Sequence, residues 1–130
     1  MPTLSRGHMN RPAGRVLVVD DHADMAESLA EVLESLGHSA RYTTDPRAVL
    51  GMATRHRPHV VFLDISMPHL DGFSLAGVLK RAFPAIRVVA VSGQTPEQHG
   101  SRNRAAAFDA YLAKPVDASM LQEVLNESLK

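Results

Sequence analysis

Val16-Leu17-Val18-Val19-Asp20-Asp21 is an unbroken apolar run closed by two acids. Four residues are too few for a helix, and the absence of polar alternation marks a strand covered on both faces. Comparable runs recur at Val60 to Leu63 and Val88 to Val91, with a weaker one at Ala40 to Thr43 and a short one at Ala110 to Leu112. Helical spacing fills the gaps. Met25, Leu29, Val32, Leu33 and Leu36 form the first stripe, with Asp24 and Glu27 placed as a capping box and Gly37 as the stop. Asp45-Pro46 opens a second helix through Val49, Leu50 and Ala53. Phe73, Ala76, Leu79 and Phe83 make a third, ended by Pro84. Thr95-Pro96-Glu97 opens a polar fourth, and Asp117 opens a fifth with Met120, Leu121, Val124, Leu125 and Leu129 on its apolar face. Met25, Met52 and Met120 read as core-facing. Strand and helix thus alternate five times, and right-handed crossovers turn that order into an α/β, doubly wound (βα)5 three-layer sandwich with a parallel sheet.

The 130 residues make one domain, 45% apolar and 22% charged, enough to bury a core unaided. Fourteen Lys or Arg balance fourteen Asp or Glu, so general electrostatic attraction to nucleic acid or anionic membrane is not expected. Cysteine is absent, which excludes thiol catalysis and disulfides. No apolar run approaches the roughly 18 residues of a membrane span. Residues 1–14 carry no signal-peptide core and read as a flexible leader or cloning remnant, leaving 15–130 as the domain, with a cytoplasmic location expected. Between Val16 and Ala40 lie six acids and no Lys or Arg.

Strand one ends in Asp20-Asp21, strand three in Asp64, strand four in Ser92, and strand five in Lys114-Pro115. An Asp after a strand is by itself an ordinary turn or cap residue. In a doubly wound sheet, however, these positions share one edge, where ligands collect. Three carboxylates there cannot all stay ionised cheaply beside one ammonium. Mg2+, a hard ion that shares its shell with phosphate oxygens, would balance them. Phosphoryl transfer needs little more than a nucleophile, a metal and one or two donors. Asp64, before the turn-rich Ile65 to Gly72 segment, is the carboxylate best placed to become an aspartyl phosphate. His22, beside the acid pair, could touch or tune the site, whereas His56 and His59 flank Pro58 in a loop and read as ordinary.

The blocks Val16 to Asp21, Phe62-Leu-Asp-Ile-Ser-Met-Pro-His-Leu-Asp-Gly72, Val91-Ser-Gly93 and Tyr111-Leu-Ala-Lys-Pro115 resemble, in order, the signature segments of response regulator receiver domains of two-component signalling. The resemblance runs from Arg15 to the last residue and implies a flavodoxin-like sheet of strand order 2-1-3-4-5. It implies that Asp64 is the phosphoacceptor and that Asp20, Asp21, Asp64 and the Ser66 backbone carbonyl hold Mg2+. It also implies that Ser92 and Lys114 contact the phosphoryl group, that Ser92 and Tyr111 form the switch, and that Pro115 follows a cis bond. The implied donors are a sensor histidine kinase or a histidine phosphotransfer protein. The implied output is a re-faced helix 4, strand 5, helix 5 surface, for a downstream protein target or a homodimer, with no direct nucleic-acid contact.

Asp20 to Leu29 and Phe108 to Asp117 are particularly similar to receivers of hybrid histidine kinases, so an excised receiver and a stand-alone regulator are equally expected, with no output domain after Lys130. Ala106-Ala107 departs from the family's usual Ala-Gly. An alternative is a phosphorylation-independent, receiver-like protein-binding scaffold. A turnover hydrolase would need a cap segment and a further acid or base, for which 130 residues leave no room.

Overall fold

The computed structural model describes residues 14–66, 71–93 and 108–129. A five-stranded parallel sheet has the order β2-β1-β3-β4-β5, with β1 at Arg15–Val19, β2 at Ser39–Thr43, β3 at Val60–Asp64, β4 at Arg87–Ser92 and β5 at Ala110–Ala113. The flavodoxin-like α/β expectation holds, strand order included. β3 is buried at every residue, and β1 and β4 at every residue but their first. That explains the unbroken apolar runs. β2, at an edge, buries only Thr43, which is why its signal was weak.

Two apolar layers flank the sheet. Leu17, Val19, Val61, Leu63, Val88 and Ala90 point to one side. There they meet α2 (Val49–His56) and α3 (Gly72–Ala82). Val16, Val18, Val60, Phe62, Val89 and Val91 point to the other, against α1 (Ala23–Ser35) and α4 (Ala118–Ser128), the helix opened by Asp117. Each fully buried aliphatic or Phe side chain contributes roughly 1.5–3 kcal/mol, so the two layers outweigh every cap and surface ion pair. The expected helix after Thr95, its Ala106-Ala107 stop, residues 67–70 and residues 1–13 of the expected 1–14 leader lie outside the described residues; Gly14, the last residue of that leader, is buried and donates to His38 Nδ1 at 2.9 Å.

Three local expectations are corrected. The Asp24/Glu27 capping box does not form. The N-cap of α1 is His22, with no side-chain cap bond, and Asp24 falls inside the first turn, where its charge favours the positive helix end. The second helix is capped by Asp45 with Pro46 first, as expected, but its first turn, Pro46–Ala48, is 3-10: the Asp45 side chain accepts from the Arg47 N–H and its carbonyl takes the Ala48 N–H. Met25 and Leu50 are each 41% exposed. The inward stripe of α1 is Ala26, Leu29, Ala30 and Leu33 and that of α2 is Val49 and Ala53, which turns each of these neighbours outward. Gly37 stops α1 as expected, at φ 96°.

The β3–α3 passage is tight. Asp71 caps α3 by accepting from the Phe73 and Ser74 N–H groups, and a Cβ on Gly72 would sit 2.8 Å from Ile65 Cγ2 and 3.2 Å from Ile65 Cα. Backbone cannot yield as a flexible side chain does. Gly72→Ala is therefore expected to lower stability by about 1–3 kcal/mol in urea denaturation, despite the better helix propensity of Ala.

Candidate functional site

Strand register aligns the chemistry. Val19 pairs with Leu63, Asp64 with Val91 and Ser92 with Ala113, so Asp20, Asp64, Ser92 and Lys114 leave the sheet at its carboxyl edge. The ladders run one step further: the Asp20 N–H donates to the Thr43 carbonyl (3.2 Å), the Ile65 N–H to that of Val91 (3.1 Å), and the Lys114 N–H to that of Ser92 (2.9 Å).

Asp20 and Asp64 are 1% and 2% exposed, and each divides its two oxygens between separate tasks. Oδ1 of Asp20 accepts the His22 N–H at 2.9 Å and Oδ1 of Asp64 accepts the Ser66 N–H at 2.8 Å. These are the turn-forming bonds any Asp could make after a strand. The two Oδ2 atoms instead meet Lys114 Nζ, at 3.4 Å from Asp64 and 3.8 Å from Asp20. Turn former and charged site residue are thus both correct descriptions of each Asp, one oxygen apiece. Asp21 is exposed, and His22 Nδ1 lies 3.2 Å from its Oδ1 and 3.4 Å from Asp20 Oδ1. Ser92 is fully buried at the end of β4. The Lys114–Pro115 bond is cis. Tyr111 is half-buried, its hydroxyl oxygen buried and its ring edge-on to Phe108 with centroids 5.6 Å apart. The hydroxyl is therefore not the wet group of an ordinary strand tyrosine.

Burial raises the pKa of Asp20 above its ordinary 3.8, and the Asp64 charge pushes the same way, against the His22 N–H and Lys114. An acid raised in this way holds its proton more tightly folded than unfolded. Its contribution to stability is full below 3.8 and is lost as pH rises through the folded value. Asp20→Asn is accordingly expected to stabilise the metal-free domain at neutral pH by on the order of 1 kcal/mol. The gain should vanish in acid and reverse when magnesium is added; urea denaturation at both pH values, with and without MgCl2, measures it.

The donor set suits a cation. One ligand atom each from Asp20, Asp21, His22 and Asp64 lies within 4.8 Å of the others. Three carboxylates share the cluster with one nearby ammonium, Lys114, and the Asp64 charge adds to the burial that raises the Asp20 pKa. Carboxylate oxygens are the ligands of hard divalent ions, Mg2+ among them. The pocket is compatible with such an ion, and Asp20, Asp21 and Asp64 would hold it. His22 is the group that sequence reasoning left undecided: its place just past the acid pair was the available signal, but only coordinates show its ring turned toward both acids.

Residues 16–126 match the family profile of the response regulator receiver domain. The chain belongs to that family. Among curated relatives, the nitrogen assimilation regulatory protein NtrX of Azorhizobium caulinodans is 33% identical over 123 residues, covering 88% of this chain and 26% of NtrX. The sensor histidine kinase RcsC of Salmonella typhimurium is 27% identical over 125 residues, covering 96% of this chain and 13% of RcsC. The chain therefore spans about a quarter and about an eighth of these two proteins. A CheY-like response regulator receiver domain from Methylobacillus flagellatus superposes with a TM-score of 0.78 at 32% identity, over 90% of this chain and 99% of that one. Receiver domains are signalling modules of two-component systems and not classical enzymes. Among the described residues no helix is long and apolar enough to cross a membrane.

Proposed function

We propose that this receiver, residues 15–130 as one cytoplasmic domain, takes a phosphoryl group onto Asp64 from a histidine kinase or a histidine phosphotransfer protein in a Mg2+-dependent reaction. The observation that carries this reading is the pairing of a buried carboxylate with an ammonium, Asp64 Oδ2 to Lys114 Nζ at 3.4 Å, inside a cluster of acids. An Asp64 oxygen attacks phosphorus as the bond to the donor imidazole nitrogen breaks, and the imidazole leaves with that electron pair. Lys114 stays against the phosphoryl oxygens, and the Ser92 hydroxyl donates to another. Asp20, Asp21 and the Ser66 carbonyl, with Asp64, would hold the cation, which would supply positive charge to the transferring oxygens. The burial of Asp20 and Asp64 keeps these interactions strong by excluding water.

Signalling follows as a shift between two packings. Ser92 moves toward the phosphoryl group, Tyr111 takes the vacated space, and the surface around β5 and α4 changes its face toward a protein target or a second copy. Incubation with MgCl2 and acetyl phosphate tests the chemistry: an adduct stable in acid and released by hydroxylamine is expected in intact-mass spectra. A wild-type chain left unmodified by acetyl phosphate and by histidine kinases alike would overturn the reading in favour of a phosphorylation-independent scaffold.

A further inference from the structure

At the amino end of the strands, opposite the acidic edge, a cavity of about 420 Å3 opens between the end of α2 and the α3–β4 connection. Its walls are mostly apolar, with Ala53, Pro58, Phe83 and Ile86 among them. That size and character match a small-molecule pocket. Two cationic or titratable residues line it, Arg57 and His59, and no carboxylate does.

Arg57 stands at the C-cap of α2 with φ 51°, the left-handed conformation that usually selects glycine. A glycine would do the backbone's work better, so an arginine there draws notice to its side chain. Its carbonyl is occupied by Arg15 Nε at 2.8 Å, while its guanidinium has no hydrogen-bond or ion-pair partner among the described residues. His59 is held differently. The Arg15 backbone N–H donates to His59 Nδ1 at 3.0 Å, which requires a bare Nδ1 and leaves the ring proton on Nε2. Burial, reinforced by Arg15 and His56, lowers the His59 pKa and keeps the ring neutral. The cavity is therefore lined by an apolar body, one exposed arginine whose guanidinium is uncommitted among the described residues, and one neutral imidazole.

We infer that this cavity binds a small amphipathic carboxylate, its apolar part against Pro58, Phe83 and Ile86 and its anionic group on Arg57, with His59 Nε2–H as second donor. A neutral apolar molecule would leave the guanidinium unused, and a bare inorganic anion would leave the apolar wall wet.

The test is a titration of the isotope-labelled full chain with naphthalene-2-acetate, and with the uncharged naphthalene-2-acetamide, followed by NMR. Saturable shifts are expected in residues 53–59 and 83–87. Affinity should fall about tenfold or more with the amide, or with Arg57→Gln and the acid, because a charge-assisted bond is lost. Ala85→Leu, which changes an exposed residue lining the cavity, should abolish binding without disturbing the spectrum elsewhere. Equal binding of acid and amide, insensitivity to Ala85→Leu, or shifts that saturate around Asp64 instead would overturn the inference. So would concentration-dependent shifts of the same residues without any probe, which would assign the pocket to a second copy of the chain.

Discussion

Asp64→Asn is expected to abolish the hydroxylamine-labile adduct entirely while leaving the domain folded. The amide keeps the shape of the carboxylate and can still accept the Ser66 N–H through its carbonyl oxygen, so the turn after β3 survives. What disappears is the anionic nucleophile, for which nothing nearby substitutes: Asp20 is as buried but sits one strand away, and Asp21 is exposed. An internal control comes with the same variant. The charge of Asp64 helps to raise the Asp20 pKa, so removing it should move the Asp20 titration downward in carboxyl-detected NMR. An adduct that persisted on Asp64→Asn would place the chemistry elsewhere. An unmoved Asp20 titration would deny the electrostatic contact.

Lys114→Ala should cut the rate of phosphorylation by acetyl phosphate by about 10²–10³, the cost of removing one preorganised donor from a charge-developing transition state. Nζ is a point charge between two buried carboxylates, and a planar guanidinium cannot occupy that place in the same way, so Lys114→Arg should recover only part of the rate. The loss also has a stability signature. Lys114 lowers the Asp20 pKa; without it that pKa rises further, and the metal-free variant should lose stability progressively as pH rises toward neutrality. Stopped-flow or mass-spectrometric time courses read the rate, and urea curves across pH read the stability. A Lys114→Ala domain phosphorylated at the wild-type rate would remove the ammonium from the mechanism.

Much of the architecture could be read from residues because burial on both faces leaves a plain mark. Val16 to Val19 and Val60 to Leu63 have no polar member for that reason. The site was legible because Asp20, Asp64, Ser92 and Lys114 each directly follow or close such a run, and parallel register brings run ends together. Side-chain direction was not legible. Whether Met25 or Ala26 faces inward depends on a rotation of about 100° set by how α1 lands on the sheet, and helical spacing alone accommodates both. Capping was misread because Asp24 has the right chemistry two positions past the cap at His22, after α1 has already begun at Ala23. The basal cavity left no motif, since its lining comes from two stretches far apart in sequence, 53–59 and 82–86.

The ladder register has a further consequence for how such a chain tolerates change. Each reactive group is metered by the residue count of its own strand, so deleting one residue would withdraw it by about 3.3 Å and turn it to the opposite face. Helix surfaces carry no such ruler. The outward faces of α1, α2 and α3 can change residue by residue while the acids and the ammonium stay in place. Placement of the cluster is thereby inscribed in strand length alone.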